Sequence, residues 1–239
     1  VFLKEVQLMK ERVVQTGEYP FDIPSIGTFE EMELESPITF FVGENGSGKS
    51  TLLEAIADQC GFNTAGGGRN HFYEVDSSDS ALGAFLRLSW MPKATNGFFL
   101  RAESFYHFAS YLDEVDDTGF AGYGGKSLHH QSHGESFMSL FSNRFQGNAL
   151  YLLDEPEAAL SPQRQLTFLR ILKELSEERG CQFIIATHSP ILLAYPGAAI
   201  HEFSEDGIAK VDYEDTEHYR ITKYFMDHRE SFLRRILED

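Results

Sequence analysis

Cysteine, tryptophan and positive charge are all scarce in this chain. Two cysteines, Cys60 and Cys181, stand far apart among 239 residues. That excludes a disulfide-framed secreted scaffold and a Cys-based zinc site, and the simpler expectation is a reducing, cytoplasmic setting. Lys and Arg number 20 against 37 Asp and Glu, a formal net charge of −17. Such a field repels polyanions, so a surface that grips DNA along its whole length is excluded, and any DNA contact needs a local patch or a partner. Arg164, Arg170, Lys173, Arg229, Arg234 and Arg235 supply basic side chains, which also read as ordinary solvated helix faces. No apolar run approaches the roughly 18 residues of a membrane helix, so direct membrane insertion is not expected. Val1–Arg12 alternates apolar and charged residues and reads as a first strand or a strand pair rather than a secretory segment.

What is present begins at Gly43. Gly-Glu-Asn-Gly-Ser-Gly-Lys-Ser-Thr (Gly43, Glu44, Asn45, Gly46, Ser47, Gly48, Lys49, Ser50, Thr51) fits the phosphate-loop pattern G-x-x-x-x-G-K-[ST]. Small residues let successive N–H groups turn inward around phosphate oxygens, Lys49 reaches the outer phosphates, and the Ser50 hydroxyl is placed for Mg²⁺. The flanks agree. Ile38–Val42 is a β-branched and aromatic run that predicts a buried strand, and Ser50–Asp58 carries apolar residues at helical spacing. Strand, Gly-rich loop and helix together aim a helix N-terminus at an anion.

A second element completes the first. Ala149–Leu153 is a continuous apolar run, expected of a strand buried on both faces, and it leads straight into Asp154 and Glu155. Asp154 is placed to hold the Mg²⁺ shell, and Glu155 to act as general base on water. The pleat is expected to aim the two carboxylates differently. Phe183–Thr187 predicts the next strand, separated by a helix over Pro162–Arg179, and it ends at His188, a candidate sensor of the terminal phosphate. Ser132 and Glu135 fit a capping box opening a helix over Glu135–Phe145; the same N-terminus is suited to a phosphate.

Together these residues resemble the ATP-binding-cassette (ABC) ATPases. Gly43–Ser50 matches the phosphate loop, Ser132-His133-Gly134-Glu135 the signature, Asp154-Glu155 the Walker B pair, Ala159-Leu160-Ser161-Pro162 the D-loop, and His188 the switch. The phrasing of Asp154–Pro162 and Ala186–Pro190 is similar to the RecF-like and SMC-like branch, and closest to its stand-alone bacterial ATPases. The resemblance implies an α/β P-loop NTPase fold: a wound sheet, an N-terminal antiparallel β subdomain and a helical signature subdomain. It implies ATP and Mg²⁺ as cofactors and an ATP-dependent head-to-tail homodimer, with Ser132 and Gly134 completing the opposite copy's site. It also implies hydrolysis coupled to an unidentified soluble protein partner or a DNA-related process. The nucleotide-binding subunit of a membrane transporter is the alternative. His133 stands where the family has Gly, and the family's Q-loop glutamine is missing, with Glu103 the candidate substitute near the metal.

Chain organisation follows. Residues 1–239 read as one ATPase domain, with 61–131 as an insert or lid and helical region and 216–238 as a C-terminal helical tail. Leu86–Leu100 is expected to be a hairpin turning at Asn96-Gly97, helices are expected over Glu103–Glu114 and Ser132–Phe145, and Ile200–Tyr213 is expected to form strands joined at Asp206-Gly207. Tyr19 and Phe21 are the upstream candidates for stacking on adenine. His129, His130 and His133 lack an acidic or Cys partner at ligand spacing, so a metal cluster is not expected. Phe105, Phe108 and Leu112 read as an apolar helix stripe.

Overall fold

A computed structural model describes residues 1–13, 17–63, 82–94, 96–102, 136, 138–139, 141 and 147–237. The centre is a six-stranded sheet in the order β5-β6-β7-β3-β8-β9. Its strands are β3 (Ile38–Gly43), β5 (Asn96–Arg101), β6 (Ala149–Asp154), β7 (Gln182–Ala186), β8 (Ala199–Ser204) and β9 (Gly207–Val211). The first five run parallel, and β9 closes one edge antiparallel to β8. Every residue of β3, β6 and β7 is buried, the condition that a continuous apolar run satisfies when both faces of a sheet are covered.

The two faces are covered differently. Helix α2 (Lys49–Gln59) brings Leu52, Leu53 and Ile56 onto Phe41, Leu150, Leu152 and Ile184. The same core takes in a three-stranded antiparallel sheet of β2 (Glu31–Glu33), β1 (Leu3–Leu8) and β4 (Leu86–Trp90), through Leu3, Val6 and Met32. On the opposite face, Phe168 and Leu172 of α3 (Pro162–Lys173) pack on Phe40, Val42, Leu153 and Ile185. Each fully buried Leu or Phe contributes about 1.5–3 kcal/mol. A short helix α1 (Pro24–Gly27) lies before β2, and α4 (Pro190–Leu193) follows β7. The chain then runs through β8 and β9 into α5 (Glu217–Asp227) and α6 (Arg229–Leu237).

Gln182 joins the two sheets. Its Oε1 accepts from Phe2 N at 2.8 Å and Leu3 N at 2.9 Å, and its Nε2 donates to Leu3 O at 2.9 Å. The side chain has no exposure to water.

The expected hairpin over Leu86–Leu100 does not form. β4 belongs to the antiparallel sheet, whereas β5 pairs parallel with β6 in the central one. Asn96-Gly97 lies in β5 and not in a turn. A Cβ on Gly97 would stand 2.1 Å from Phe62 Cζ and 2.5 Å from Leu150 O, so this glycine serves close packing on a strand. The expected strand pair over Ile200–Tyr213 forms as β8 and β9, and the tail is helical with a break at His228. The helix after β6 is α3 prolonged by a π-helical turn, Glu174–Glu178. The helix over Glu103–Glu114 and the segment 64–81 lie outside the described residues.

Candidate functional site

The phosphate loop leaves β3 at Gly43 and enters α2 at Lys49. Gly43 has φ +147°, and a Cβ there would meet Phe203 O at 2.3 Å; Gly48 has φ +96°, and a Cβ there would meet Ser25 Oγ at 2.8 Å. Both positions require glycine for conformation and for space. Ser25 Oγ donates to Ser47 O, fastening α1 beneath the loop. Lys49 Nζ folds over the loop and donates to Gly43 O at 2.8 Å and Glu44 O at 2.9 Å. Burial pulls the Lys49 ammonium below its ordinary pKa, opposed by Glu155, Asp154 and Glu44.

β6 and β7 are neighbours, so Asp154 lies in register with Ala186 and beside the loop. Ser50 Oγ donates to Asp154 Oδ1 at 3.0 Å. Asp154 Oδ2 accepts from Arg101 Nε at 3.1 Å, and Arg101 also pairs with Glu54 of α2. Burial raises the Asp154 carboxyl above its ordinary pKa, against the Arg101 charge and the Ser50 hydrogen bond.

Glu155 has left-handed backbone, φ 50° and ψ 51°. Its different aim from Asp154 therefore comes from a turn of the main chain and not from strand pleat. Its N–H donates to Ala186 O at 2.9 Å. Glu155 Oε1 lies 3.4 Å from His188 Nε2, a buried atom without a hydrogen-bond partner among the described residues. Desolvation, then the Lys49 charge, lowers His188 to about 4. The loop carrying it is firmly held. His188 N donates to Glu157 Oε1 at 2.6 Å, Ser189 N to Thr187 Oγ1 at 3.0 Å, and Ser189 Oγ to Gln165 Oε1 at 2.5 Å.

Two contacts were not legible as motifs. Arg101, the last residue of β5, reaches Asp154 from the segment in which the Q-loop is expected. His218 of α5 places Nε2 at 2.9 Å from His188 Nδ1. Glu103, Ser132, His133, Gly134, Glu135, His129 and His130 lie outside the described residues. Where the helix after the signature is described, at Ser136, Met138, Ser139 and Phe141, it is helical, and Phe141 packs on Phe168 with ring centroids 4.7 Å apart.

A cavity of about 410 Å³ opens beside the loop, between Pro24 and Ser25 on one side and Phe203, Ser204 and Glu205 on the other. Tyr19 and Phe21 do not line it; Tyr19 is 66% exposed, and Phe21 packs edge-on against Phe85 at 5.2 Å.

The loop, the Ser50–Asp154 pair and the Glu155–His188 crevice lie at the carboxyl ends of β3, β6 and β7, where α/β sheets take ligands. Two family models match the chain: "AAA domain, putative AbiEii toxin, Type IV TA system" over residues 135–194, and "AAA domain" over residues 23–84. Together they cover both halves of this crevice. The chain is a P-loop ATPase with the fold of the ABC ATPases. The ATPase aligns with "An inward-facing conformation of a putative metal-chelate type ABC transporter", with TM-score 0.53 and 14% identity, over 94% of this chain and 89% of that one, a likeness of fold. It is 27% identical over 167 residues to "Putative ABC transporter ATP-binding protein GSU3001" of Geobacter sulfurreducens. That match takes in 62% of this chain and 58% of the relative, a little over half of the relative's length. It is also 36% identical over 64 residues to the OLD nuclease of Thermus scotoductus, 27% of this chain and 11% of that protein. Among the described residues no helix is long and apolar enough to cross a membrane.

The site fits a magnesium-bound triphosphate on observations of its own. Ser47 Oγ is buried in the loop without a partner among the described residues, Gly43, Gly46 and Gly48 take positive φ angles that a phosphate loop requires, and Ser50 and Asp154 present adjacent oxygens.

Proposed function

We propose that the phosphate loop and Lys49 hold the ATP phosphates, that Ser50 and Asp154 hold Mg²⁺, and that Glu155 is the general base for hydrolysis with His188 beside it. The observation that carries this reading is the approach of His188 Nε2 to Glu155 Oε1 at 3.4 Å, beside the Ser50–Asp154 pair. Bound Mg²⁺ would neutralise charge on the phosphate oxygens. Lys49 shifts from the loop carbonyls to phosphate oxygens, Ser50 and Asp154 orient the triphosphate, and Glu155 takes a proton from the attacking water. Residues 1–239 act as one ATPase domain with 216–238 as its C-terminal helical tail; within the span 61–131, β4 and β5 belong to the two sheets and are not part of an insert or lid. By the family pattern, Ser132 and Gly134 complete the site of a second copy, giving an ATP-dependent head-to-tail homodimer. Its cycle drives a soluble protein partner or a DNA-related process. The net charge of −17 supports separated subunits without nucleotide, since like charges oppose their closure.

The test is Glu155→Gln. The variant is expected to bind MgATP, to lose at least about a hundredfold in kcat, and to accumulate as a dimer on size exclusion with ATP. Hydrolysis at the wild-type rate would remove Glu155 from the role of base. The Geobacter relative's name supports a second reading, the nucleotide-binding subunit of a transporter. Co-purification of the trapped variant with a membrane subunit would select it over a soluble partner.

A further inference from the structure

His188 is buried against Glu155 on one side and against His218 on the other. Its ring is held neutral near pH 7, since desolvation keeps it near 4. A neutral imidazole has one proton to place, and the partner of one nitrogen decides which nitrogen carries it. Here Nδ1 lies 2.9 Å from His218 Nε2, while Nε2 faces Glu155 Oε1 at 3.4 Å.

Only one arrangement of protons suits both neighbours. If His188 Nδ1 carried the proton, it would donate to His218, and the bare Nε2 lone pair would face a carboxylate oxygen. If His218 Nε2–H donates instead, His188 carries its proton on Nε2, the nitrogen that stands 3.4 Å from Glu155 Oε1. The second arrangement also leaves His218 Nδ1 as a lone pair, and that atom is buried without a partner among the described residues.

The position of His218 is built rather than incidental. It lies in the first turn of α5, whose start is held from three sides. Thr216, fully buried, caps the helix through Oγ1 to Tyr219 N at 3.4 Å and donates to Tyr213 O at 2.8 Å. Glu202 of β8 accepts from Glu217 N at 3.2 Å. Tyr213 OH donates to Pro190 O at 3.0 Å, two residues beyond His188. The Tyr213–Pro190 bond therefore ties the turn that presents His218 to the segment that carries His188.

We propose that His218 is a positioning residue for hydrolysis: its Nε2–H donates to His188 Nδ1 and so keeps the His188 proton on Nε2, facing the crevice where Glu155 and the terminal phosphate meet. This rests on the proposed role of His188 at that phosphate, and it ties the C-terminal helical segment to the hydrolytic centre.

Two measurements on the full chain test it. Long-range ¹H–¹⁵N spectra of ¹⁵N-histidine-labelled protein, assigned with His188→Ala and His218→Ala, are expected to show His188 protonated on Nε2 in the wild type. In His218→Ala that signal is expected to give way to a mixture of tautomers. In the same variant kcat is expected to fall on the order of tenfold with the KM for ATP unchanged, as when a partner that orients a histidine is removed. His218→Gln, whose amide can donate to the same nitrogen, is expected to restore most of it. A wild-type His188 protonated on Nδ1, or a His218→Ala protein with an unchanged tautomer and kcat, overturns the proposal. His188→Ala separates this from the reading beneath it. If that variant hydrolyses ATP normally, the role of His188 has failed, and the kinetic part of the proposal fails with it. If it is inactive while wild-type His188 carries the Nδ1 proton, only the assignment of His218 has failed.

Discussion

Arg101 Nε lies 3.1 Å from Asp154 Oδ2, so the carboxylate proposed for the metal is already paired with the protein's own cation. Asp154 is buried, and Arg101 reaches it from the adjacent strand, in register with it. Removing one partner of a buried pair leaves the other charge uncompensated, which costs several kcal/mol when both are buried. Arg101 is partly exposed, so Arg101→Ala is expected to cost about 2–3 kcal/mol, a Tm lower by roughly 5–10 °C. MgATP should restore part of that loss by supplying charge at Asp154. Differential scanning fluorimetry with and without MgATP checks this, and a variant whose deficit is unaffected by MgATP would contradict the pairing.

Gly43→Ala places a methyl 2.3 Å from Phe203 O on backbone with φ +147°. Neither a main-chain oxygen of a central strand nor that dihedral yields cheaply, and the strain is about 1–3 kcal/mol. The expected result is lower thermal stability together with loss of nucleotide binding, because the loop must move to relieve the clash. Titration with a fluorescent ATP analogue reads the second effect.

His201, on β8, sets its ring edge-on to Phe41 at 6.4 Å, and burial lowers it to about 4. The unfolded chain binds this proton near pH 6.5 and the folded chain only near 4. Stability is therefore lost as pH falls from 6.5 towards 4, by about 2 kcal/mol at pH 5. Burial raises Asp154 and Glu157, which act in the opposite sense, so the wild-type curve alone does not isolate the histidine. His201→Leu should lose less stability than the wild type between pH 7 and 5 in urea unfolding. Equal losses would count against a proton taken up only on unfolding.

Gln182→Ala removes three hydrogen bonds between the central sheet and the start of β1. Two N–H groups and a carbonyl lose their partner at a site closed to water, and about 2–4 kcal/mol is the expected cost. Hydrogen exchange should show β1 opening ahead of β3. Unchanged protection of Leu3 would contradict this.

The sites where local chemistry and global placement agree were legible in the sequence. Gly43–Ser50 announces itself because a phosphate loop needs glycine, lysine and hydroxyl at fixed offsets. Ala149–Asp154 does so because a strand buried on both faces must be apolar until it ends. Asn96-Gly97 was misleading for a physical reason: the glycine answers to Phe62 pressing on the strand, a contact that turn chemistry does not encode. Arg101 meets Asp154 only through the parallel register of β5 and β6, and no spacing rule carries that register. His218 lies 30 residues beyond His188 and belongs to no motif, so only the folded chain brings the two rings together. The aim of Glu155 was expected from the pleat, yet it comes from one left-handed residue.

A single amide spans the segments that follow β6 and β7. Gln165 Nε2 donates to Leu160 O at 3.1 Å, while its Oε1 receives the Ser189 hydroxyl. Glu157, from the same stretch as Leu160, holds the main chain of His188. These cross-braces make Glu157–Gln165 and Thr187–Ser189 a single mechanical part. A displacement of His188 is thereby shared with the stretch from Glu157 to Gln165, without either segment having to unfold.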